Sequence, residues 1–134
     1  MWFSPEQFLV IQQLKDVGLS ARFEPGDVVL RGFADLGYEE FQVLPNQRLL
    51  SLTAGTVSAI DPQHHEHFLW VPSVDEVVEI IEKKGMRIDA LSRIDSRQWK
   101  FELRRQSGSP IQVIHAQLHT TLLLGLMEVL KNER

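Results

Sequence analysis

The residues best suited to chemistry in this sequence are histidines, and three of the five lie close together. His64, His65 and His67 surround Glu66, and the segment follows Asp61-Pro62-Gln63. If this segment is extended, His65 and His67 point the same way, because alternate side chains of a strand share a face. Imidazole nitrogens are zinc ligands. The cluster therefore predicts a divalent-metal site at His64, His65 and His67, and the alternative is a polar loop that holds no ion.

Other catalytic patterns are missing from the sequence. The chain has no cysteine, which excludes thiolate catalysis, disulfides and cysteine-based zinc sites. It has no Gly-rich phosphate loop followed by Lys and Ser or Thr, and no GxSxG elbow. Glu39 and Glu40 are adjacent carboxylates, but neighbours on a strand point to opposite faces and cannot act on one substrate atom. The sequence favours a protein without enzymatic activity, and an enzyme here would have to use the histidines.

A second candidate surface is basic. Acidic residues outnumber basic ones in 1–80, whereas basic residues outnumber acidic ones in 81–134. Arg87, Lys100 and Arg104 occupy outward positions on predicted strands, which makes them candidate contacts for nucleic acid. Carboxylates on the same strands dilute this positive charge and disfavour nucleic-acid binding. Attraction between the two halves, or between subunits, explains the charge asymmetry equally well.

The order of elements predicted for the second half, α-β-β-β-α, resembles that of double-stranded-RNA-binding domains. The resemblance is one of topology, and it implies contact with duplex RNA. The Lys-rich start of the family's last helix is replaced here by Leu118-His119-Thr120-Thr121, and the GPxH-type loop is missing. Both departures fall on RNA-binding positions of the family, so they weigh against that function.

The clearest structural signal is the stretch from Phe68 to Gly85. Its apolar start predicts a buried strand that ends at Pro72, which has no N–H to give a ladder. Ser73 and Glu76 match a helix capping box, and Gly85 suits the position after the last turn. Between them, apolar residues recur on one arc and charged residues on the other. Together these features predict a strand followed by an amphipathic helix.

The first half is expected to begin with a helix from Pro5 to about Val17, capped by Ser4 and Gln7. Short apolar runs between turn residues then predict strands at 27–31, 38–44 and within 49–60. Residues 33–37 are expected to connect the first two strands.

After the central helix, three runs alternate between apolar and polar residues. They predict strands at 86–94, 99–104 and 111–117, with a turn at 106–110. Met86, Ile88 and Ala90 are expected on the inward row of the first strand. Short turns between consecutive strands favour an antiparallel meander.

These elements predict one α+β domain that spans residues 1–134, in which helices pack on one face of an antiparallel sheet. Residues 1–67 and 68–134 are candidate sub-units. The second half has the order α-β-β-β-α.

The final helix, expected over Leu118–Lys131, has an unusually wide apolar arc of about 160°, against the ~100° of a one-sided surface helix. Gly125 lies inside it, where glycine is unfavourable unless another backbone comes close. The sequence therefore predicts that this helix contributes to the interface of a homo-oligomer, and the alternative is a helix buried within one chain. The predicted interface residues are Leu122, Leu123, Leu124, Leu126 and Met127.

The features that bear on location are the lengths of the apolar runs, the N-terminal residues and the absence of cysteine. No apolar run approaches the ~20 residues that span a bilayer, and residues 1–6 lack the basic region of a signal peptide. With no cysteine as well, a cytoplasmic protein is expected. The sequence predicts that it acts by protein–protein contact, with a partner that the residues do not identify.

Overall fold

Helices and antiparallel strands, the predicted α+β combination, make up the computed structural model of the chain. The structure describes residues 4–19, 22–33, 37–105 and 108–132. The chain divides into residues 1–72 (unit 1) and 73–134 (unit 2), and each unit has its own sheet. Three sequence-based expectations fall partly outside the described residues. They concern the N-terminal residues 1–6, the connection at 33–37 and the turn at 106–110, of which 1–3, 34–36 and 106–107 are not described.

The described part of unit 1 holds a helix, a 3₁₀-helix and a five-stranded antiparallel sheet of order β4-β3-β2-β1-β5. The elements are α1 (Pro5–Asp16), β1 (Val28–Phe33), β2 (Gly37–Leu44), β3 (Arg48–Ser51), β4 (Val57–Ala59), the 3₁₀-helix (Pro62–His67) and β5 (Leu69–Val71). β5 pairs with β1, so this strand belongs to unit 1.

Helix α1 begins where the sequence predicts. The Ser4 hydroxyl accepts from the Gln7 N–H, and the Gln7 side chain accepts from the Ser4 N–H, which completes the capping box. The Phe8 ring stacks on Tyr38 at 4.9 Å between centroids. A Cβ at Gly32 would lie only 3.1 Å from the same ring, so α1 packs on the sheet face that carries Tyr38 and Gly32.

The opposite face of this sheet has its own apolar cluster. Val29, Val43, Leu49 and Phe68 are its buried members, and Phe23, Phe41 and Ile60 pack against them. Strand residues alternate between the two faces, so the sheet is apolar on both sides.

An ion pair between the accessible side chain of Arg22 and the buried carboxylate of Asp27 closes the turn before β1. Asp27 is only 6% exposed and accepts from Arg22 Nε at 3.0 Å, Arg22 Nη2 at 2.6 Å and the Glu24 N–H at 2.9 Å. The Arg22 guanidinium also lies over the Trp70 ring at 4.9 Å. Burial, the largest influence, raises the pKa of Asp27, but these hydrogen bonds and the Arg22 charge together outweigh it. The net effect holds the pKa of Asp27 below its usual value.

We expect Asp27→Asn to lower the free energy of unfolding near neutral pH by about 1–3 kcal/mol, because an amide replaces a charged acceptor. The folded pKa lies below the unfolded value of about 3.9. The carboxylate's contribution is therefore complete above that value and is lost as the pH falls through the folded pKa. Urea denaturation should show that the difference in the free energy of unfolding between wild type and variant becomes smaller as the pH falls through the folded pKa. A difference that stayed constant or grew towards acid would contradict this assignment.

Unit 2 has the predicted order α-β-β-β-α. Its elements are α2 (Val74–Lys83), β6 (Arg87–Asp95), β7 (Gln98–Arg104), β8 (Ile111–His115) and α3 (Leu118–Lys131), and the antiparallel sheet has the order β6-β7-β8. The predicted capping box of Ser73 and Glu76 begins α2. Gly85 follows this helix with a φ of 81°, which glycine adopts without the strain of a Cβ.

Helix α3 lies very close to the inner face of this sheet. Phe101 and Leu103 of β7 are fully buried, and a Cβ on Gly125 would lie 2.6 Å from Phe101 Cδ2. Glycine at this position is required by an aromatic ring of the same unit. The expected approach of another backbone is therefore not needed to explain it.

The inward row predicted for β6 is wrong beyond Ile88. A bulge lies between Ile88 and Ala90, so Ile88 is opposite Leu103 but Ala90 is opposite Glu102 on the outer face. The extra residue is Asp89, because a bulge inserts one residue into one strand and reverses the facing of those that follow.

We expect Gly125→Ala to destabilise the protein by about 1–3 kcal/mol through overpacking, although alanine is the better helix former by about 1 kcal/mol. Chemical denaturation measures the change. Glu128→Ala on the same helix is the control, expected below about 0.5 kcal/mol because its ion pair with Lys131 is exposed. A stabilised Gly125→Ala variant would mean that α3 does not lie against Phe101.

Candidate functional site

The histidine segment is not extended, so the condition on which the metal prediction depends is not met. Pro62–His67 forms a 3₁₀-helix whose N-cap, Asp61, accepts from the Gln63 N–H at 3.0 Å. Asp followed by Pro is a favourable helix start, since the carboxylate satisfies a free N–H and proline needs no partner in the first turn. His65 and His67 therefore do not share the face of a strand.

The three rings have different surroundings. His65 stacks on Phe23 at 3.9 Å, and its Nε2 lies 3.1 Å from Gln47 Oε1. The rings of His64 and His67 are 5.8 Å apart. In the described part of the chain, no three His, Cys, Asp or Glu side chains are grouped so that they could hold a metal ion. Metal binding by this segment stays a prediction, and it requires His65 to leave Phe23 and Gln47.

We expect His65→Ala to destabilise the protein by about 1–2 kcal/mol, because the ring loses its stacking on Phe23 and its hydrogen bond to Gln47. His67→Ala, at an exposed position of the same turn, is the matched control and should change the free energy of unfolding by less than about 0.5 kcal/mol. Thermal or urea unfolding compares the two. Equal effects would contradict the assignment of a stabilising contact to His65. A Zn²⁺-dependent rise in wild-type stability that both variants lose would favour a ligand role.

A pocket of about 370 Å³ lies beside this turn in unit 1. Its floor is apolar, with Phe41, Leu49, Ile60 and Phe68, and its polar lining consists of Arg31, Ser58, Asp61 and His64. The Arg31 guanidinium lies 5.8 Å from the centroid of the Phe68 ring. Apolar walls with a few polar groups are typical of small-ligand pockets, but the side chains here make no recognisable catalytic set.

The predicted basic face of unit 2 is largely neutralised by ion pairs. Arg87 Nε and Arg104 Nε each donate to Asp89, to Oδ1 and Oδ2 respectively, at 2.8 Å. Lys100 Nζ lies 3.2 Å from Glu102 Oε1. Each cation of the predicted nucleic-acid surface therefore has a carboxylate neighbour, which reduces the field that phosphate contacts require.

Asp89 is the residue that the β6 bulge inserts, and it bridges two arginines that the register places opposite each other. The hydrogen bond from Arg87 contributes most to a lowered pKa of Asp89; burial opposes it, while Arg104 adds to it. The carboxylate therefore stays ionised and fixes both guanidinium groups by their Nε atoms.

A cavity of about 560 Å³ opens next to this bridge. We call it the arginine cavity; its lining is Glu82, Gly85, Met86, Arg87, Arg104 and Arg105. Arg105 is half-buried and donates from Nε to the Met86 sulfur at 3.1 Å. Two of the three residues predicted for nucleic acid lie here, and Lys100 does not. Arg105 joins them because the fold brings it to the end of α2, which its place in the sequence does not indicate.

The predicted interface residues of α3 are mostly inside the chain. Leu122, Leu123 and Leu126 have no exposed surface and Met127 is 6% exposed. Only Leu124 among the predicted five is half-buried and reachable. Of the five predicted residues, a partner on this helix could reach Leu124 best. The predicted interface stays untested.

The two edge strands of the unit 2 sheet differ sharply. β6 has irregular register at two places and carries Arg87, Asp89, Arg93 and Asp95. β8 pairs with β7 in unbroken register from Ile111 to His115 and contains no Asp, Glu, Lys or Arg. Bulges and charges are the devices that keep edge strands from pairing with other chains, and β8 has neither.

No family model, curated protein or solved structure matches this chain. Function must therefore be inferred from its own geometry, which is that of an α+β protein with two antiparallel sheets. In the part of the chain that the structure describes, no helix has the length and apolar character to cross a bilayer.

Proposed function

We propose that this chain acts by protein–protein contact as a homodimer, in which β8 of one copy pairs antiparallel with β8 of a second copy. The observation that carries this proposal is the contrast between the two edges of the unit 2 sheet. An edge strand presents free N–H and C=O groups that a second strand can satisfy. Of the two edges, only β8 is regular and uncharged.

The backbone of β8 supports this pairing. Outside the sheets and helices, no backbone hydrogen bond of the described residues involves Ile111–Ile114. Only the end of the strand is engaged, where the Thr121 hydroxyl donates to the His115 carbonyl at 3.4 Å. The outward-directed backbone groups of Ile111–Ile114 can therefore pair with a partner strand, which would satisfy them.

The side chains of β8 suit a second copy of the same strand. A two-fold axis through Val113 places Ile111 opposite His115 and Gln112 opposite Ile114, so no like charges meet across the axis. Ile114 is 43% exposed and would lose apolar surface to the partner. The paired strands would form one sheet with the order β6-β7-β8-β8-β7-β6.

Two lysines on the outer face of β8 should abolish the dimer. Gln112 and Ile114 are both exposed, so the double substitution Gln112→Lys/Ile114→Lys is expected to fold and to place like charges opposite each other. Light scattering at micromolar concentration should give twice the 15.4 kDa chain mass for wild type and a single mass for the variant.

The matched control is Ser92→Lys/Ile94→Lys, which adds the same charge at exposed positions of the protected edge, β6. It should leave the dimer intact. Leu124→Glu tests the α3 interface predicted from sequence. The proposal fails if wild type is a monomer, if the β8 variant stays dimeric, or if Leu124→Glu separates the copies while the β8 variant does not.

A further inference from the structure

We infer that the arginine cavity of unit 2 binds a small phosphorylated molecule, whose phosphate group lies among Arg87, Arg104 and Arg105. This site is independent of the β8 pairing. It combines a cavity of a size found for small-ligand sites, about 560 Å³, with three guanidinium groups that the chain leaves incompletely used.

The first two arginines are held in place but retain free donors. Among the described residues, Asp89 accepts from Arg87 Nε and Arg104 Nε alone. Neither Arg87 nor Arg104 makes another hydrogen bond or ion pair with a side chain or backbone of the described residues. A guanidinium has five N–H donors, so the Nη groups of both can serve a ligand. A carboxylate that fixes two arginines without occupying their outer donors prepares a site for an anion.

The third arginine, Arg105, has no anionic partner among the described residues. Arg105 is half-buried, and among the described residues its Nε donates only to the Met86 sulfur. A thioether is a weak acceptor, so it orients this guanidinium without neutralising it. A partly buried cation gains most from a bound oxyanion, because water screens the interaction less there.

The carboxylate of Glu82 limits which phosphorylated molecules can fit the cavity. It lies in the same lining, and its carboxylate makes no hydrogen bond or ion pair with the described residues. A ligand with negative charge on all sides would be repelled there, whereas a hydroxyl or amine could donate to it. Three guanidinium groups beside one carboxylate favour a phosphomonoester at one end and a hydrogen-bond donor at the other, as in a sugar or polyol phosphate.

Isothermal titration calorimetry at low ionic strength tests this inference with glycerol 3-phosphate and inorganic phosphate as probes. Wild type should bind both, and glycerol 3-phosphate more tightly. Arg105→Gln should weaken binding of both by about tenfold or more, because a charge-assisted contact is lost. Arg87→Gln, at an exposed position, should also weaken binding of both probes. It replaces Arg105→Gln in the test if that variant folds poorly. Glu82→Gln should tighten inorganic phosphate and reduce the preference for glycerol 3-phosphate.

The control is Arg97→Gln, which removes the same charge from the exposed turn between β6 and β7, outside the cavity. Its affinities should match those of wild type. The inference is overturned if wild type binds neither probe at millimolar concentration, or if Arg97→Gln loses as much affinity as Arg105→Gln. Equal loss would mean diffuse charge attraction without a site. The calorimetric affinities do not report the oligomeric state, so this experiment can fail or succeed separately from the light-scattering test of the β8 variants.

Discussion

The missing side chain at Gly125 is the constraint on which unit 2 depends. A Cβ at this position would lie 2.6 Å from the ring of Phe101, a separation that packed atoms cannot adopt. With glycine there, α3 comes close enough for its leucines to be buried while Phe101 and Leu103 are sealed from water. The apolar side of α3 therefore packs on the inner face of the sheet, and most of the helix is buried there.

On the outer face of the sheet, the one residue that the bulge inserts determines how the arginines are neutralised and oriented. The bulge at Asp89 brings a carboxylate between Arg87 and Arg104. This lowers the charge that a nucleic-acid backbone would meet, yet it also fixes two guanidinium groups beside a cavity. The same ion pairs that weaken a broad phosphate-binding surface are thus what the proposed anion site depends on, because charge is reduced while geometry becomes defined.

Sequence alone predicts the features that depend on neighbouring residues. The capping boxes of α1 and α2 and the bounds of α3 agree with the structure, since caps and periodicity are local. The bulge could not be predicted, because it depends on which residues of β7 lie opposite. The sequence leaves the conformation of the histidine segment open between an extended run and a polar loop, and the structure has a 3₁₀-helix there. The role of Arg105 could not be predicted, because only the fold places it near Met86.

The two surfaces lie on different parts of one sheet. Arg87 is on β6 and Arg104 is at the end of β7, whereas the pairing surface is β8, on the opposite edge. Pairing at β8 extends the sheet away from β6, so it leaves the arginine cavity open. A dimer built in this way carries two such cavities on the outer strands of a six-stranded sheet. Since no residue belongs to both surfaces, ligand binding and association can change independently unless a ligand alters the twist of the shared β7.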